Sequence, residues 1–380
     1  MNKLDTFLTK EETKMVKGIA ILLMMIHHLW GFPDRIAGGS LNYMITLFQT
    51  PLILSMGGFG KICVSFFFFL GGYGVYHSFY KKPFKPISKL KNLYIAYWKV
   101  FVIFVPIGYF FCSNQPAYCE DAIIYSRFAD FSWSNCVANF LGLSSSINEE
   151  WWFLLSYVIA ILTFPIIRSI AERFSFKVNF LLIVAGSVLI TNVFPAISNI
   201  ESIGILNNNT LYTLLFYQSV PYVTCFWMGV VSAKDGVLNR LSEDLKELNL
   251  LNPVFDLLVW AIAFYMRQFA GYSAQWDVLY VPFLVVTGTD LFRRANYLKY
   301  IFVKLGNQST NIWLIHSFFC YYFYAVAKVV TATRWAVPSL ATLVIFSYIA
   351  SVALSHFWKS VESLFFTHKN RSKRQNVGLG

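Results

Sequence analysis

The run Lys17-Gly18-Ile19-Ala20-Ile21-Leu22-Leu23-Met24-Met25-Ile26-His27-His28 is apolar except at its two ends. At about 100° per residue, the eleven steps from Lys17 to His28 make about three full turns, so both side chains project from one face of a helix. A rise of about 1.5 Å per residue separates them by about 16 Å, roughly half of a bilayer's hydrocarbon core. With Lys17 at one membrane edge, His28 falls near mid-membrane. A titratable group there is expensive and marks function by default; the plainer alternative is a histidine hydrogen-bonded inside a helix bundle. His27 points about 100° away from that face and reads as structural.

Composition fixes the class. Hydrophobic residues make up 57% of the 380 residues and charged residues only 13%, about half the charged share of an ordinary soluble domain. The chain reads as an all-α integral membrane protein, a bundle of about ten transmembrane helices. The expected spans are Val16–Phe32, Ile62–Tyr80, Leu93–Cys112, Trp151–Ile167, Val178–Phe194, Leu214–Val231, Pro253–Ala270, Trp276–Leu291, Thr310–Ala327 and Val337–Trp358. Residues 1–365 are expected to form one membrane-embedded domain, and 366–380 a basic cytoplasmic tail. The first span lacks a small-residue cleavage site and is expected to stay in place.

Lysine and arginine set the orientation. With the N-terminus inside, the inner loops collect Lys3 to Lys17, Lys81 to Lys91, Arg168 to Lys177, Lys234 to Lys246, Arg293 to Lys304, and the basic residues from Lys359 onward. The outer side keeps Arg35, Lys61, Arg127, Arg267, Lys328 and Arg334. A bias of about four to one predicts a multi-pass cell-membrane protein with both termini cytoplasmic. The net charge of +12 then belongs to topology and anionic lipid, with no nucleic acid implied.

Two loops carry amphipathic patterns. Trp133, Val137, Phe140 and Leu141 in the outer loop, and Leu238, Leu241, Leu245 and Leu248 opposite Glu243, Asp244 and Glu247 in an inner one, predict helices lying on the membrane. Cys63, Cys225 and Cys320 read as apolar fillers. Cys112, Cys119 and Cys136 fall outside, where a disulfide such as Cys119–Cys136 is permitted. No metal-ligand spacing is present.

Further polar groups sit in or beside the spans. Ser309 and His316 are seven residues apart, nearly on one helical face, with Asn311 between them. His316 lies about 10 Å in from Ser309, so two histidines on separate helices can meet at one depth. Lys81, Lys82, Lys85, Lys89 and Lys91 precede Tyr94-Ile95-Ala96-Tyr97-Trp98. Such a cluster either anchors the protein to lipid or holds the phosphates of a nucleotide-like donor. Glu149 and Glu150 precede Trp151-Trp152-Phe153, where a carboxylate can reach an outer vestibule and the tryptophans can anchor at the interface or stack on a sugar.

In order along the chain, these pieces resemble the membrane acyltransferase 3 family, ten-span enzymes that O-acylate cell-surface carbohydrates. The family's first-span arginine and histidine correspond to Lys17 and His28. Its phenylalanine-rich second span corresponds to Phe66-Phe67-Phe68-Phe69-Leu70-Gly71-Gly72-Tyr73, and its basic stretch before a Tyr-Trp pair to Lys89 through Tyr97-Trp98. Trp152-Phe153-Leu154 matches the opening of a later span. Leu305-Gly306, Ser309, Ile312-Trp313-Leu314 and His316 match a late pattern. Three departures stand out: lysine for arginine at Lys17, Gly71 where serine is common, and Asn92 at the second basic position of the third span.

The resemblance implies transfer of an acyl group, acetyl being the expected one, from acyl-CoA to a hydroxyl of an envelope carbohydrate or glycolipid, without a metal. Lys17, Lys89, Lys91 and Tyr97 would hold the donor. His28 would act as general base or acyl carrier, with Ser309, Asn311 or His316 orienting it or stabilising the oxyanion. Glu149, Glu150, Trp151 and Trp152 would line the acceptor's entry. A proton-coupled secondary transporter of a small polar or carbohydrate-related solute suits the buried histidines too. Against it stand the lack of a repeat between halves and the placement of Asp256, Asp277 and Asp290 near span ends. A scaffold for polysaccharide assembly, the third class, would make His28 dispensable.

Overall fold

The structure, a computed structural model, describes residues 4–47, 49–80, 82–115, 127–189, 192, 220–271 and 273–377, the last thirteen by backbone alone. Helices α1 (Lys10–Trp30), α2 (Leu52–Gly60), α3 (Ile62–Phe79), α4 (Pro86–Phe111), α5 (Trp133–Phe140), α6 (Trp152–Arg173) and α7 (Phe176–Val188) build the first half. Helices α8 (Val220–Asp235), α9 (Val237–Glu247), α10 (Pro253–Phe269), α11 (Asp277–Arg294), α12 (Asn296–Asn307), α13 (Ser309–Ser317), α14 (Tyr324–Val330) and α15 (Ala336–Val377) build the second. A two-stranded hairpin, Thr46–Leu47 with Thr50–Pro51, leads into α2.

Among the described residues, four helical stretches are long and apolar enough to cross a membrane: Leu52–Phe79, Pro86–Phe111, Glu149–Arg173 and Ala336–Leu364. Their outward faces carry large exposed side chains such as Phe110, Leu162, Ile166 and Ile349. Exposed apolar faces on this scale suit lipid rather than water, and the protein is an all-α, multi-pass membrane protein.

α1 sits inside the bundle. A capping box starts it: Thr9 Oγ1 accepts from the Glu12 N–H at 3.1 Å, and Glu12 Oε2 accepts from the Thr9 N–H at 2.9 Å. Met15, Val16, Ala20, Ile21 and Met25 are fully buried. Lys14, Lys17, His27 and His28 dilute its hydropathy, so the α1 helix depends on neighbours rather than lipid. Glycine permits the closest neighbour. A Cβ on Gly18 would strike the Phe302 carbonyl of α12, and one on Gly306 the Lys14 carbonyl of α1. α3 and α8 cross the same way, with Gly72 against the Phe226 carbonyl and Gly229 against that of Phe69.

One expected span comes out differently. Thr310–Ala327 is not one helix: α13 passes into a π-helical turn, Phe318–Tyr322, which the Phe323 N–H closes on the Phe318 carbonyl at 2.8 Å. The chain then turns by 92° into α14. An apolar run has no period that separates a π-turn from an α-turn. Of Val178–Phe194, α7 covers only the first part; residues 190, 191, 193 and 194 lie outside the described set, as do 214–219 of the sixth span. α15 runs on to Val377, through most of the segment expected as a tail.

Both amphipathic segments are helical. α5 leaves Trp133 and Val137 exposed, and α9 buries Leu238 and Leu245 while exposing Glu243, Asp244 and Glu247. Asp5 caps α9 from the other end of the chain, its Oδ2 accepting from the Leu238 and Asn239 N–H groups at 2.8 and 3.2 Å. Cys63, Cys225 and Cys320 are buried as free thiols, and Cys112 and Cys136 are free too; Cys119 and Lys81 lie outside the described residues.

Candidate active site

A cavity of about 800 Å³ runs between α1, α3, α4, α6 and α13. At one end its wall holds Thr13, Lys17, Lys89, Asn92, Ser309 and Thr310. At the other it holds His27, His28, Arg35, Lys61, Ser145, Glu149 and Glu150. Met24, Phe67, Leu70 and Gly71 line the stretch between. One helix face thus presents Lys17 and His28 to a single continuous space, as their spacing requires.

At the carboxylate end, Glu150 is buried and its Oε1 lies 3.7 Å from His28 Nδ1. Oε2 accepts from the Tyr322 hydroxyl at 2.7 Å, and Arg35 Nη1 stands 3.9 Å from Oε1. His28 Nδ1 is buried with no hydrogen-bond partner within ordinary reach. Glu150 Oε1 stands just beyond that reach, and such contacts tighten when substrate closes a site. The His28 carbonyl accepts from the Tyr321 hydroxyl. His316 packs its ring 5.0 Å from that of His28. Its Nδ1 lies 2.8 Å from the Trp313 carbonyl. A carbonyl only accepts, so Nδ1 carries the proton and the unpartnered Nε2 offers a lone pair. By the same logic His27 Nδ1 donates to the Gly57 carbonyl at 2.8 Å, fastening α1 to α2.

The π-turn explains how Glu150 is held. Asn148 Nδ2 donates to Ser317 Oγ at 2.7 Å, the Glu149 N–H to the Tyr322 hydroxyl at 3.1 Å, and Trp151 Nε1 to the Leu314 carbonyl at 3.0 Å. Trp313 Nε1 donates to the Glu150 carbonyl at 3.2 Å. Four bonds from α13 and the turn after it thus fix residues 148–151. The carboxylate is built into the wall rather than left on a mobile loop.

A family model for an acyltransferase domain matches residues 13–356. The chain belongs to the acyltransferase 3 family. No curated protein and no solved structure matches it. Membership makes the protein a membrane acyltransferase, and transport gives way to acyl transfer as its reaction class.

In this acyltransferase the cavity gathers Lys17, Lys89, His28, Ser309, Glu149, Glu150 and Trp152, with the His316 ring against His28 from behind. Four expected residues are elsewhere. Asn311 donates to Ser355 Oγ at 3.0 Å and so ties α13 to α15 instead of orienting an imidazole. Tyr97 is buried with its hydroxyl on the Asn139 carbonyl at 2.5 Å, and Trp151 stacks edge-on against it at 4.9 Å; neither lines the cavity. Lys91 is exposed off the cavity wall, while Asn92, three residues from Lys89, shares the Lys89 face. Ser309 is at the lysine end, two turns of helix from His316, and does not reach His28.

The sequence undervalued Arg35, Tyr321, Tyr322 and Lys61. Arg35 and Lys61 counted only as outer charges, and neither tyrosine stands out in the sequence. For Arg35 a signal existed: it follows His28 by seven residues across Gly31 and Pro33, a turn that folds it back over the helix end.

Proposed function

We propose that the protein moves an acyl group, acetyl being the smallest candidate, from cytoplasmic acyl-CoA to a hydroxyl of an envelope or cell-surface carbohydrate. Ten spans and two cytoplasmic termini belong to the same proposal, and the four-to-one basic bias supports them. The observation that carries it is the continuous cavity joining Lys17 and Lys89 to His28 and Glu150. A donor made on one side and an acceptor finished on the other need such a path.

Lys17 and Lys89 would neutralise the donor's phosphates, with Asn92 adding a neutral hydrogen bond. The pantetheine arm, of the same order of length as the roughly 16 Å between Lys17 and His28, would carry the thioester to the imidazole. Glu150 facing Nδ1 favours the tautomer protonated there, which leaves Nε2 as the base. Nε2 takes the acceptor hydroxyl's proton as its oxygen attacks the thioester carbonyl carbon. The tetrahedral intermediate then collapses, the C–S bond breaks, and the leaving thiolate takes the proton from the imidazolium. Glu150 stabilises the cation formed in between, and Tyr322 and Arg35 hold that carboxylate.

Mass spectrometry of envelope glycans from cells with and without the protein tests the proposal. An O-acyl group should vanish with the protein and return with the wild-type chain but not with His28→Ala. Identical glycan acylation in all three strains would refute it.

A further inference from the structure

At the carboxylate end of the cavity, charges pair off with one exception. Arg35 Nη2 lies 3.6 Å from Glu149 and Nη1 3.9 Å from Glu150, while Arg127 Nη2 lies 2.5 Å from Glu149. Two guanidiniums face two carboxylates. Lys61 lines the same end, is exposed, and has no carboxylate within ion-pair distance among the described residues.

Its position is set from two sides. Lys61 joins α2 to α3, and a Cβ on Gly60 would meet the backbone of Leu23 and His27, so the junction lies flat on α1 beside the histidines. Behind it, the fully buried Arg267 donates to the Gly58 and Phe59 carbonyls at 3.4 and 3.3 Å. Asp277 holds that guanidinium with two bonds, at 2.6 and 3.0 Å. An ammonium on the cavity wall with no carboxylate in ion-pair reach among the described residues has its charge available for an anionic occupant of that end. The donor's phosphates do not suit it, because Lys17 and Lys89 stand at the opposite end.

We infer that the acceptor is acidic, with a carboxylate or a phosphate close to the hydroxyl that is acylated, and that Lys61 binds this anion. The inference rests on the acyl-transfer reading and adds the acceptor's class to it.

Purified full-length protein in detergent, supplied with acetyl-CoA, separates the two claims through release of CoA. Three acceptors of equal length are compared: a glucuronate-containing oligosaccharide, a glycerol-phosphate oligomer and a neutral glucose oligosaccharide. At least one acidic acceptor should have a Michaelis constant about ten- to a hundredfold below that of the neutral one, the scale of one charge-assisted contact; which acid wins tells carboxylate from phosphate. In Lys61→Gln that preference should collapse, and Lys61→Arg should restore it. Equal use of all three by the wild type overturns the inference without needing any variant. A lower kcat in Lys61→Gln with the acidic preference intact also overturns it, placing the ammonium on the reacting carbonyl. No acetyl transfer to any acceptor by the wild type would sink acyl transfer itself, and this inference with it.

Discussion

His28 and Glu150 meet with α2 to α5 lying between them in the chain, and the consequence is sharp at single residues. His28→Ala should abolish acyl transfer at normal membrane levels. Glu150→Gln keeps the shape but not the charge and should lower kcat by about 10²- to 10⁴-fold, the usual range for disabling acid–base catalysis. His27→Ala should retain a substantial share of turnover, since His27 is spent on the Gly57 carbonyl. Rates from membranes matched for protein level check all three, and equal loss in His27→Ala and His28→Ala would refute the assignment. On the donor side, Lys17→Ala should raise the Michaelis constant for acyl-CoA about ten- to a hundredfold, and Lys17→Arg should preserve it. Lys91→Ala, off the cavity wall, should leave it unchanged. The Lys17–His28 relation was legible because it lies within one helix and needs only the helical period. The Glu150 contact was not, because it depends on where two distant segments dock. Asn311 stands in the same run as Ser309 and His316, but five residues put it about 140° round the helix from His316, and packing turns it to Ser355.

Helices cross here at glycine, so the elements can be tested by adding one carbon. Gly18→Ala or Gly306→Ala would drive a methyl into a backbone carbonyl and push α1 off α12, at a cost of about 1–3 kcal/mol for an overpacked contact. The expected result is a lower melting temperature in detergent. Gly186→Ala, on a helix face with nothing within 4 Å, should instead leave stability unchanged or raise it by up to about 1 kcal/mol. If all three behaved alike, the α1–α12 crossing would not be where the chain is tightest. Most helices were readable from apolar length alone, α3 nearly to both ends, and α4 and α6 at one end each, since polar residues begin the one at Pro86 and end the other at Arg173. The break after α13 was not, since Phe318 to Ala327 is apolar apart from its tyrosine hydroxyls, and those that stabilise the turn find partners far away in sequence.

For the whole molecule, the orientation in the bilayer is the decisive property. In a background stripped of native cysteines, a cysteine at Ser144 should react with an impermeant thiol reagent in intact cells. One at Ser88, an exposed residue near Lys89, should react only after permeabilisation. Labelling of Ser88 in intact cells would invert the molecule and put the proposed donor site where CoA is absent. The cavity carries a liability of its own. A polar passage that runs from Lys17 to Glu149 could short-circuit the proton gradient across any membrane that holds it. Met24, Phe67 and Leu70 interrupt the polar wall between the two ends, so a chain of water molecules between them must pass an oily collar. In the proposed reaction the collar that passes a thioester arm would also keep the membrane insulated.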